Sequence, residues 1–262
     1  MNSLRKSKLS PLALIAGMHA FLSPAAVAAD GAAAKPVSIV FVHGAWADGS
    51  SWNDVIPLLL DKGLTVVSVQ NPLSSLADDV AATRRAIDLQ PGPVLLVGHS
   101  WGGVVITEAG RHEKVAGLVY VAAFGPDEGE SVSALLGNKD IPPPAGLGGV
   151  YPDATGYLWQ KPENIAEHFA QDVSPAQKKL IAATQNPIFA KCFDEKVGAP
   201  AWKTKPSWYI LAAQDHMIPP AAQKLFATRM NASLTTLDTS HVPMLSKPKD
   251  VANAIIAAAA KI

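Results

Sequence analysis

Short apolar runs alternate along the chain with longer segments of helical periodicity. The runs are rich in β-branched and aliphatic residues, and they occupy residues 37–44, 64–70, 93–98, 115–124, 207–215 and 233–240. Continuous apolar runs of this length are typical of strands that are buried on both faces. Helical segments between consecutive strands supply the long crossovers that parallel pairing needs. The sequence therefore predicts an α/β fold with a mostly parallel central sheet flanked by helices.

The alternation is interrupted once, between about residues 125 and 206. This stretch is rich in proline and glycine and carries several tyrosine, tryptophan and phenylalanine side chains. It is longer than an ordinary connection, so we expect an inserted lid made of short helices and turns. The chain has 262 residues and 48% hydrophobic composition. Both values suit one α/β domain over residues 36–262 that includes this insertion.

A serine flanked by glycines follows the third apolar run. The sequence Gly98-His99-Ser100-Trp101-Gly102 stands where that run gives way to a helical pattern. Glycine and serine are ordinary turn residues, so a simple turn is one interpretation. The spacing is also that of a nucleophile elbow, in which a sharp strand-to-helix turn exposes the serine hydroxyl. A side chain at either glycine would collide with the backbone in so tight a turn.

Three residues with catalytic potential lie at the carboxyl ends of predicted strands, where ligands of open parallel sheets bind. Ser100 follows the third strand, Asp215 ends the fifth and His241 follows the sixth. A serine needs a base that removes its proton, and the base needs an acid that fixes its tautomer. The sequence therefore predicts Ser100 as the nucleophile, His241 as the general base and Asp215 as the orienting acid. Asp127, after the fourth strand, and Asp238 are the alternative acids.

The same strand ends carry stretches of sequence that resemble those of a known family. These stretches are FVHGAWADGSSW, VGHSWGG, AAFGPDEGES, QDHMIPP and SHVPMLSKP. In them the chain resembles the α/β-hydrolase-fold serine esterases, which include bacterial carboxylesterases and pyrethroid hydrolases, and more distantly plant methyl esterases and hydroxynitrile lyases. The resemblance covers nearly all of the chain after the N-terminus, except about residues 133–206. It implies hydrolysis of small to medium apolar carboxylic esters through an acyl-enzyme, with no cofactor.

The resemblance also implies two backbone donors and a way to separate hydrolases from lyases. The oxyanion of the intermediate is expected to accept hydrogen bonds from the backbone N–H groups of Ala45 and Trp101. In the lyase-like pattern a lysine follows the catalytic histidine and a hydroxyl residue follows the first-strand histidine. This chain has Val242 and Gly44 at those places, which favours ester hydrolysis. A cofactor-free lyase, oxygenase or perhydrolase, and a non-catalytic ligand-binding protein, remain the alternatives.

The remaining histidines and the single cysteine receive structural interpretations. His43 is expected to support the oxyanion turn, and His99 is expected to pack and to point away from the nucleophile. Three others are interpreted as surface or lid residues: His112, His168 and His216. The histidine pairs lack the helical spacing of a metal motif, so no metal is predicted. Cys192 is interpreted as a buried, inert thiol.

The N-terminus and the charge balance bear on location and partners. Three basic residues, Arg5, Lys6 and Lys8, precede a short apolar stretch that is followed by Ala26-Val27-Ala28. Basic, apolar and small-residue regions in this order predict a signal peptide over residues 1–29 and a periplasmic or secreted protein without stable membrane insertion. An uncleaved anchor is the alternative. Basic and acidic residues number 22 each, so the expected partner is a small ester rather than a nucleic acid.

Overall fold

A computed structural model describes residues 36–262, and the predicted signal peptide lies outside them. The described chain contains nine strands: β1 (Ser38–Val42), β2 (Thr65–Val69), β3 (Val94–His99), β4 (Val115–Val121), β5 (Val150–Pro152), β6 (Tyr157–Gln160), β7 (Ile188–Phe189), β8 (Ser207–Ala212) and β9 (Ser233–Leu237). Six of them form one sheet in the order β2-β1-β3-β4-β8-β9, and every neighbouring pair is parallel. The predicted parallel sheet is therefore confirmed.

The centre of this sheet is buried on both faces. Every residue of β1 and β3 is buried, which explains why these strands are continuous apolar runs rather than alternating ones. The two strands pair in register, from Ser38 opposite Val94 to Val42 opposite Gly98, so they end at the same edge. Because all six strands run in one direction, their carboxyl ends share this edge and can bring distant residues of the sequence together.

Nine α-helical segments accompany the strands in the described chain: α1 (Ile56–Leu60), α2 (Leu76–Asp88), α3 (Gly102–Ala109), α4 (Val132–Leu136), α5 (Pro162–Asn164), α6 (Pro175–Thr184), α7 (Pro220–Arg229), α8 (Pro243–Ser246) and α9 (Pro248–Ala259). Helix α1 packs with α9, and α2 packs with α3. Helix α2 begins directly after Ser75, whose hydroxyl accepts a hydrogen bond from the Asp78 N–H at 3.0 Å and caps the helix. Over residues 36–262, every helix is too short or too polar to cross a bilayer.

The first helix is shorter than the periodicity of residues 51–63 predicts. The chain forms a 3-10 turn over Gly49–Trp52 and then the five-residue helix α1. Pro57 lies in the first turn of α1, where a residue without an N–H is tolerated. A helix that contains Pro57 must therefore begin close to it, and the residues before it adopt a separate turn.

The segment between β4 and β8 holds short helices, as predicted, and also a small sheet that the sequence does not predict. Strands β5, β6 and β7 pair antiparallel. The turn between β5 and β6 uses Gly156 at φ +88°, a conformation that glycine adopts without a steric penalty. Helix α5 continues directly into a π-helical turn, Ile165–Phe169. The role of this segment as a lid stays a prediction.

Candidate active site

Ser100 lies at the sharp turn between β3 and α3. Its backbone has φ +53°, a left-handed conformation that costs a non-glycine residue about 1 kcal/mol or more. An added Cβ would lie 2.5 Å from the Gly102 carbonyl oxygen at Gly98, and 2.3 Å from the Val42 carbonyl oxygen at Gly102. The predicted steric role of these two glycines is confirmed. Their missing side chains allow the turn that places Ser100 at the carboxyl edge of the sheet.

The structure brings the three predicted side chains into one hydrogen-bonded chain. His241 Nδ1 lies 2.7 Å from Asp215 Oδ2, and His241 Nε2 lies 2.9 Å from Ser100 Oγ. Because an ionised carboxylate only accepts hydrogen bonds, Nδ1 carries the proton, and Nε2 accepts the one that the serine hydroxyl donates. His241 is completely buried and Ser100 is 5% exposed. Such an arrangement can activate a serine hydroxyl for attack on a carbonyl carbon.

Neutral donors hold Asp215 in the loop between β8 and α7. Its Oδ1 accepts hydrogen bonds from the backbone N–H groups of Met217 at 2.7 Å and Ile218 at 2.9 Å. Its Oδ2 accepts from the Gln223 amide at 2.8 Å as well as from His241. Gln223 is buried, and two further hydrogen bonds to backbone groups fix its own amide. Gln223 could not be predicted as a site residue, because a glutamine in a helix carries no sequence signal for such a contact.

The two alternative acids lie elsewhere. Asp127 is partly exposed and forms an ion pair with Lys203 at 2.5 Å. Asp238 is exposed, directly follows β9 and accepts a hydrogen bond from Gln214 at 2.9 Å. In the part of the chain that the structure describes, Asp215 is the carboxylate that bonds to His241, and neither alternative does.

His43 and His99 flank the site as buried side chains. The Asn71 N–H donates to His43 Nε2 at 2.8 Å, so His43 Nδ1 carries the proton and donates to the Gly44 carbonyl oxygen at 2.9 Å. His99 Nε2 donates to the His241 carbonyl oxygen at 2.8 Å. Burial lowers the pKa of His43 and lowers that of His99 well below its usual range. His99 therefore does more than pack, because it holds the backbone of the residue predicted as the general base.

The predicted oxyanion donors both border the space next to Ser100. Ala45 and Trp101 line the small cavity at this serine, and each is about 1% exposed. Among residues 36–262, neither backbone N–H donates a hydrogen bond to a protein acceptor. Buried backbone donors without a partner are rare, since each costs about as much as a lost hydrogen bond. The two N–H groups are thus available to an oxyanion, and their role stays a prediction.

Two cavities lie near the serine turn: Ser100 and His241 line one of them, and their sequence neighbours His99 and Val242 line the other. The one beside Ser100 holds about 20 Å³, which is room for about one water molecule. Its lining is mostly apolar and includes Leu136, Leu147 and Phe193. A second cavity of about 270 Å³ is larger. Trp46 lines both cavities, and we expect its side chain to separate them.

The other candidate metal ligands and the cysteine thiol take no part in this hydrogen-bonded chain. Within the described residues, no three His, Cys, Asp or Glu side chains converge as a metal site would require. His168 and His216 lie Nδ1 to Nδ1 at 3.1 Å, and His112 lies 3.0 Å from Asp88; all three histidines are half-buried rather than fully on the surface. Cys192 is buried, as predicted, and burial raises the pKa of its thiol to about 12, which leaves it inert as a nucleophile.

A sequence profile described as the alpha/beta hydrolase family matches residues 39–254. The match covers most of the chain, and the fold and the serine turn agree with it. The chain therefore belongs to the α/β hydrolase family.

Individual relatives refine this assignment. A pyrethroid hydrolase of Sphingobium wenxiniae is 27% identical over 256 residues, which cover 83% of this chain and 85% of that protein. A carbendazim hydrolyzing esterase of a Nocardioides species is 34% identical over 122 residues, or 40% of this chain and 49% of that protein; the match thus spans about half of that relative. The relatives are named as hydrolases and esterases, which supports the predicted class of carboxylic ester hydrolase.

A solved structure confirms the fold. The crystal structure of a pyrethroid hydrolase from Sphingobium faniae is similar with a TM-score of 0.73 and 23% identity. The similarity covers 86% of this chain and 98% of that one. At this level of identity the likeness establishes the α/β hydrolase fold and leaves substrate choice to the residues of the site.

Proposed function

We propose that this protein hydrolyses small to medium, mainly apolar carboxylic esters through a covalent acyl-enzyme. The observation that carries the proposal is the buried hydrogen-bonded chain from Asp215 through His241 to Ser100. Serine is a weak nucleophile by itself, and this chain supplies the base and the acid that activate it.

The reaction follows from the roles of these atoms. His241 Nε2 takes the hydroxyl proton as Ser100 Oγ attacks the ester carbonyl, and Asp215 stabilises the resulting imidazolium. The oxyanion accepts hydrogen bonds from the N–H groups of Ala45 and Trp101. His241 then returns the proton to the leaving alkoxide, and Ser100 is left acylated. A water molecule, activated by the same histidine, releases the acid by the same steps in reverse.

The lining of the small cavity supports a neutral, apolar acyl group. Among the described residues around it are Phe124, Leu136, Leu147 and Ile218, and no Lys, Arg, Asp or Glu side chain of the described chain lines it. A charged acyl group would lose its hydration there without gaining a partner. Among residues 36–262, no Lys or Arg side chain lines this site, which also favours hydrolysis over a lyase reaction that releases an anionic leaving group.

The test is ester turnover by the wild-type protein and by Ser100→Ala, measured with chromogenic esters of increasing acyl length. In a comparable serine hydrolase, loss of the nucleophile costs on the order of a millionfold in turnover, and we expect a loss of that order here. Ser133→Ala, which removes an exposed serine, is the control and should keep full activity. A serine-directed phosphonate should label the wild type at Ser100. If Ser100→Ala kept about a tenth of the activity, the proposal that Ser100 is the nucleophile would be wrong.

We further propose that the protein acts outside the cytoplasm after removal of residues 1–29. The order of basic, apolar and small residues at the N-terminus supports this proposal. Mass spectrometry of the exported protein is expected to find an N-terminus near Ala29 or Asp30. Recovery of a form that begins at Met1 in the membrane fraction would contradict it.

A further inference from the structure

A buried carboxylate on α2 contacts the residue that directly follows Ser100. Asp79 is fully buried, and its Oδ2 accepts a hydrogen bond from the Trp101 indole Nε1 at 2.7 Å. Its Oδ1 accepts a hydrogen bond from the Leu73 backbone N–H at 2.8 Å. Asp79 is thus the link between the serine turn and the loop that precedes α2. The proposed mechanism does not use this group.

The carboxylate of Asp79 is costly in this position. Burial raises its pKa to about 6, and the neighbouring carboxylates of Asp78 and Glu195 add to the effect. No Lys, Arg or His side chain in the described chain forms an ion pair with it. A buried charge without a countercharge destabilises a fold unless its hydrogen bonds compensate. A neutral residue could fill the same space without this cost. The helix dipole favours an acidic residue in the first turn of α2, and the two hydrogen bonds that Asp79 accepts point to a further role.

Two sets of hydrogen bonds fix the peptide that joins Ser100 to Trp101. The Ser100 carbonyl oxygen accepts from the N–H groups of Gly103 at 3.0 Å and Phe124 at 3.2 Å, which sets the orientation of the peptide plane. At the Trp101 end of this peptide, the hydrogen bond from the indole N–H to Asp79 fixes the Trp101 side chain and, through it, the Trp101 backbone. Among residues 36–262, the N–H between these two anchors has no protein acceptor, and its residue lines the small cavity.

We infer that Asp79 is a positioning residue, which holds Trp101 so that its backbone N–H stays in reach of the oxyanion formed at Ser100. This inference rests on the proposed function. An oxyanion donor is effective only when it is fixed where the charge develops, and removal of one donor costs about 10²- to 10³-fold in turnover. A displacement of about 1 Å can cost about 10²-fold. Loss of the anchor should therefore lower kcat rather than substrate binding.

The test compares four proteins in the ester assay: the wild type, Asp79→Asn, Trp101→Phe and the double variant. Trp101→Phe keeps an aromatic ring and removes the indole N–H. We expect Asp79→Asn to lower kcat by about 10- to 100-fold while KM changes by about twofold or less. In the Trp101→Phe background, where no indole N–H is left to hold, the same Asn substitution should cost about twofold or less. Asp78→Asn, an exposed carboxylate of the same helical turn, is the control and should leave kcat unchanged.

Each outcome of this comparison decides a different point. If the wild type shows no Ser100-dependent hydrolysis, the proposed function fails and the inference fails with it. If the wild type is active and neither Asp79→Asn nor Trp101→Phe lowers kcat, the positioning role alone is wrong, because the asparagine oxygen can still accept the indole N–H whereas phenylalanine has no N–H to donate. If Asp79→Asn costs the same in both backgrounds, Asp79 does not act through the indole, and the inference is again overturned. If Asp79→Asn does not fold, Trp101→Phe still tests the bond, since a wild-type kcat in that variant would refute it.

Discussion

Replacement of Asp79 by asparagine should change how the stability of the protein depends on pH. Folding raises the pKa of this carboxyl from 3.8 to about 6. A carboxyl group whose pKa is raised by folding contributes stability that is complete below the unfolded pKa and is lost as the pH rises through the folded one. At 1.36 kcal/mol per pKa unit, the complete loss is about 3 kcal/mol. Between about pH 4 and about pH 7, the loss amounts to about 2 kcal/mol, since the unfolded chain is already partly ionised at the lower pH.

The assay is urea unfolding of both proteins at these two pH values. Asparagine does not ionise, so the free energy of unfolding of Asp79→Asn, relative to wild type, should rise by about 2 kcal/mol from about pH 4 to about pH 7. The amide can also change the hydrogen bonds to Trp101 and Leu73. An effect that is equal at both pH values cancels when the value at one pH is subtracted from the value at the other. The control is Asp78→Asn. In the wild type, hydrogen bonds from Ser74 and Ser75 lower the pKa of the Asp78 carboxyl. The free energy of unfolding of this variant, relative to wild type, should therefore fall rather than rise over the same pH range. If the difference in the free energy of unfolding between Asp79→Asn and wild type did not change with pH, the pKa of Asp79 would not be raised by folding.

Three further predictions concern the acid, the cavity and the serine turn. Asp215→Asn is expected to lower kcat by about 10⁴-fold with substrate binding nearly unchanged, because the amide favours the wrong imidazole tautomer; Asp127→Asn should keep near wild-type turnover, and the reverse ranking in one ester assay would move the acid to Asp127. Trp46→Gly, which suits the φ of +59° at this residue, should join the two cavities and raise the turnover of long-chain esters relative to short ones; an unchanged chain-length profile would contradict this. Gly98→Ala should destabilise the fold by about 2 kcal/mol or more, because its Cβ would meet backbone atoms, whereas Gly148→Ala, with open space around it, should leave the Tm nearly unchanged; equal melting temperatures in the two variants would rule out this steric account.

The sequence predicts those features that local patterns determine. Buried parallel strands need continuous apolar runs, and the six runs correspond to the six strands of the main sheet. The start of α2 at Ser75 follows from local capping chemistry. The three residues of the hydrogen-bonded chain are found because parallel strands end at one edge, so Ser100, Asp215 and His241 are neighbours in space once the sheet is known.

The features that the sequence does not predict depend on contacts between distant segments. Asp79 occupies the first turn of α2, where an acidic residue is expected for the helix dipole alone, and its bond to Trp101 crosses 22 positions of the chain. Gln223 lies in helix α7, and its side chain reaches Asp215 only once the chain has folded. The small sheet of β5, β6 and β7 joins strands of two to four residues, too short to produce a periodic signal.

Three buried histidines meet at the carboxyl edge of the sheet, and their hydrogen-bond partners decide which one can serve as a base. His43 and His99 each donate one ring N–H to a backbone carbonyl oxygen, and burial lowers the pKa of both. A carbonyl oxygen carries no full charge, so it stabilises an imidazolium less than a carboxylate does. Within residues 36–262, His241 is the histidine that has a buried carboxylate on Nδ1 and a serine hydroxyl on Nε2. A proton that leaves Ser100 therefore has one favourable destination, although the sequence places a histidine close to the end of three different strands.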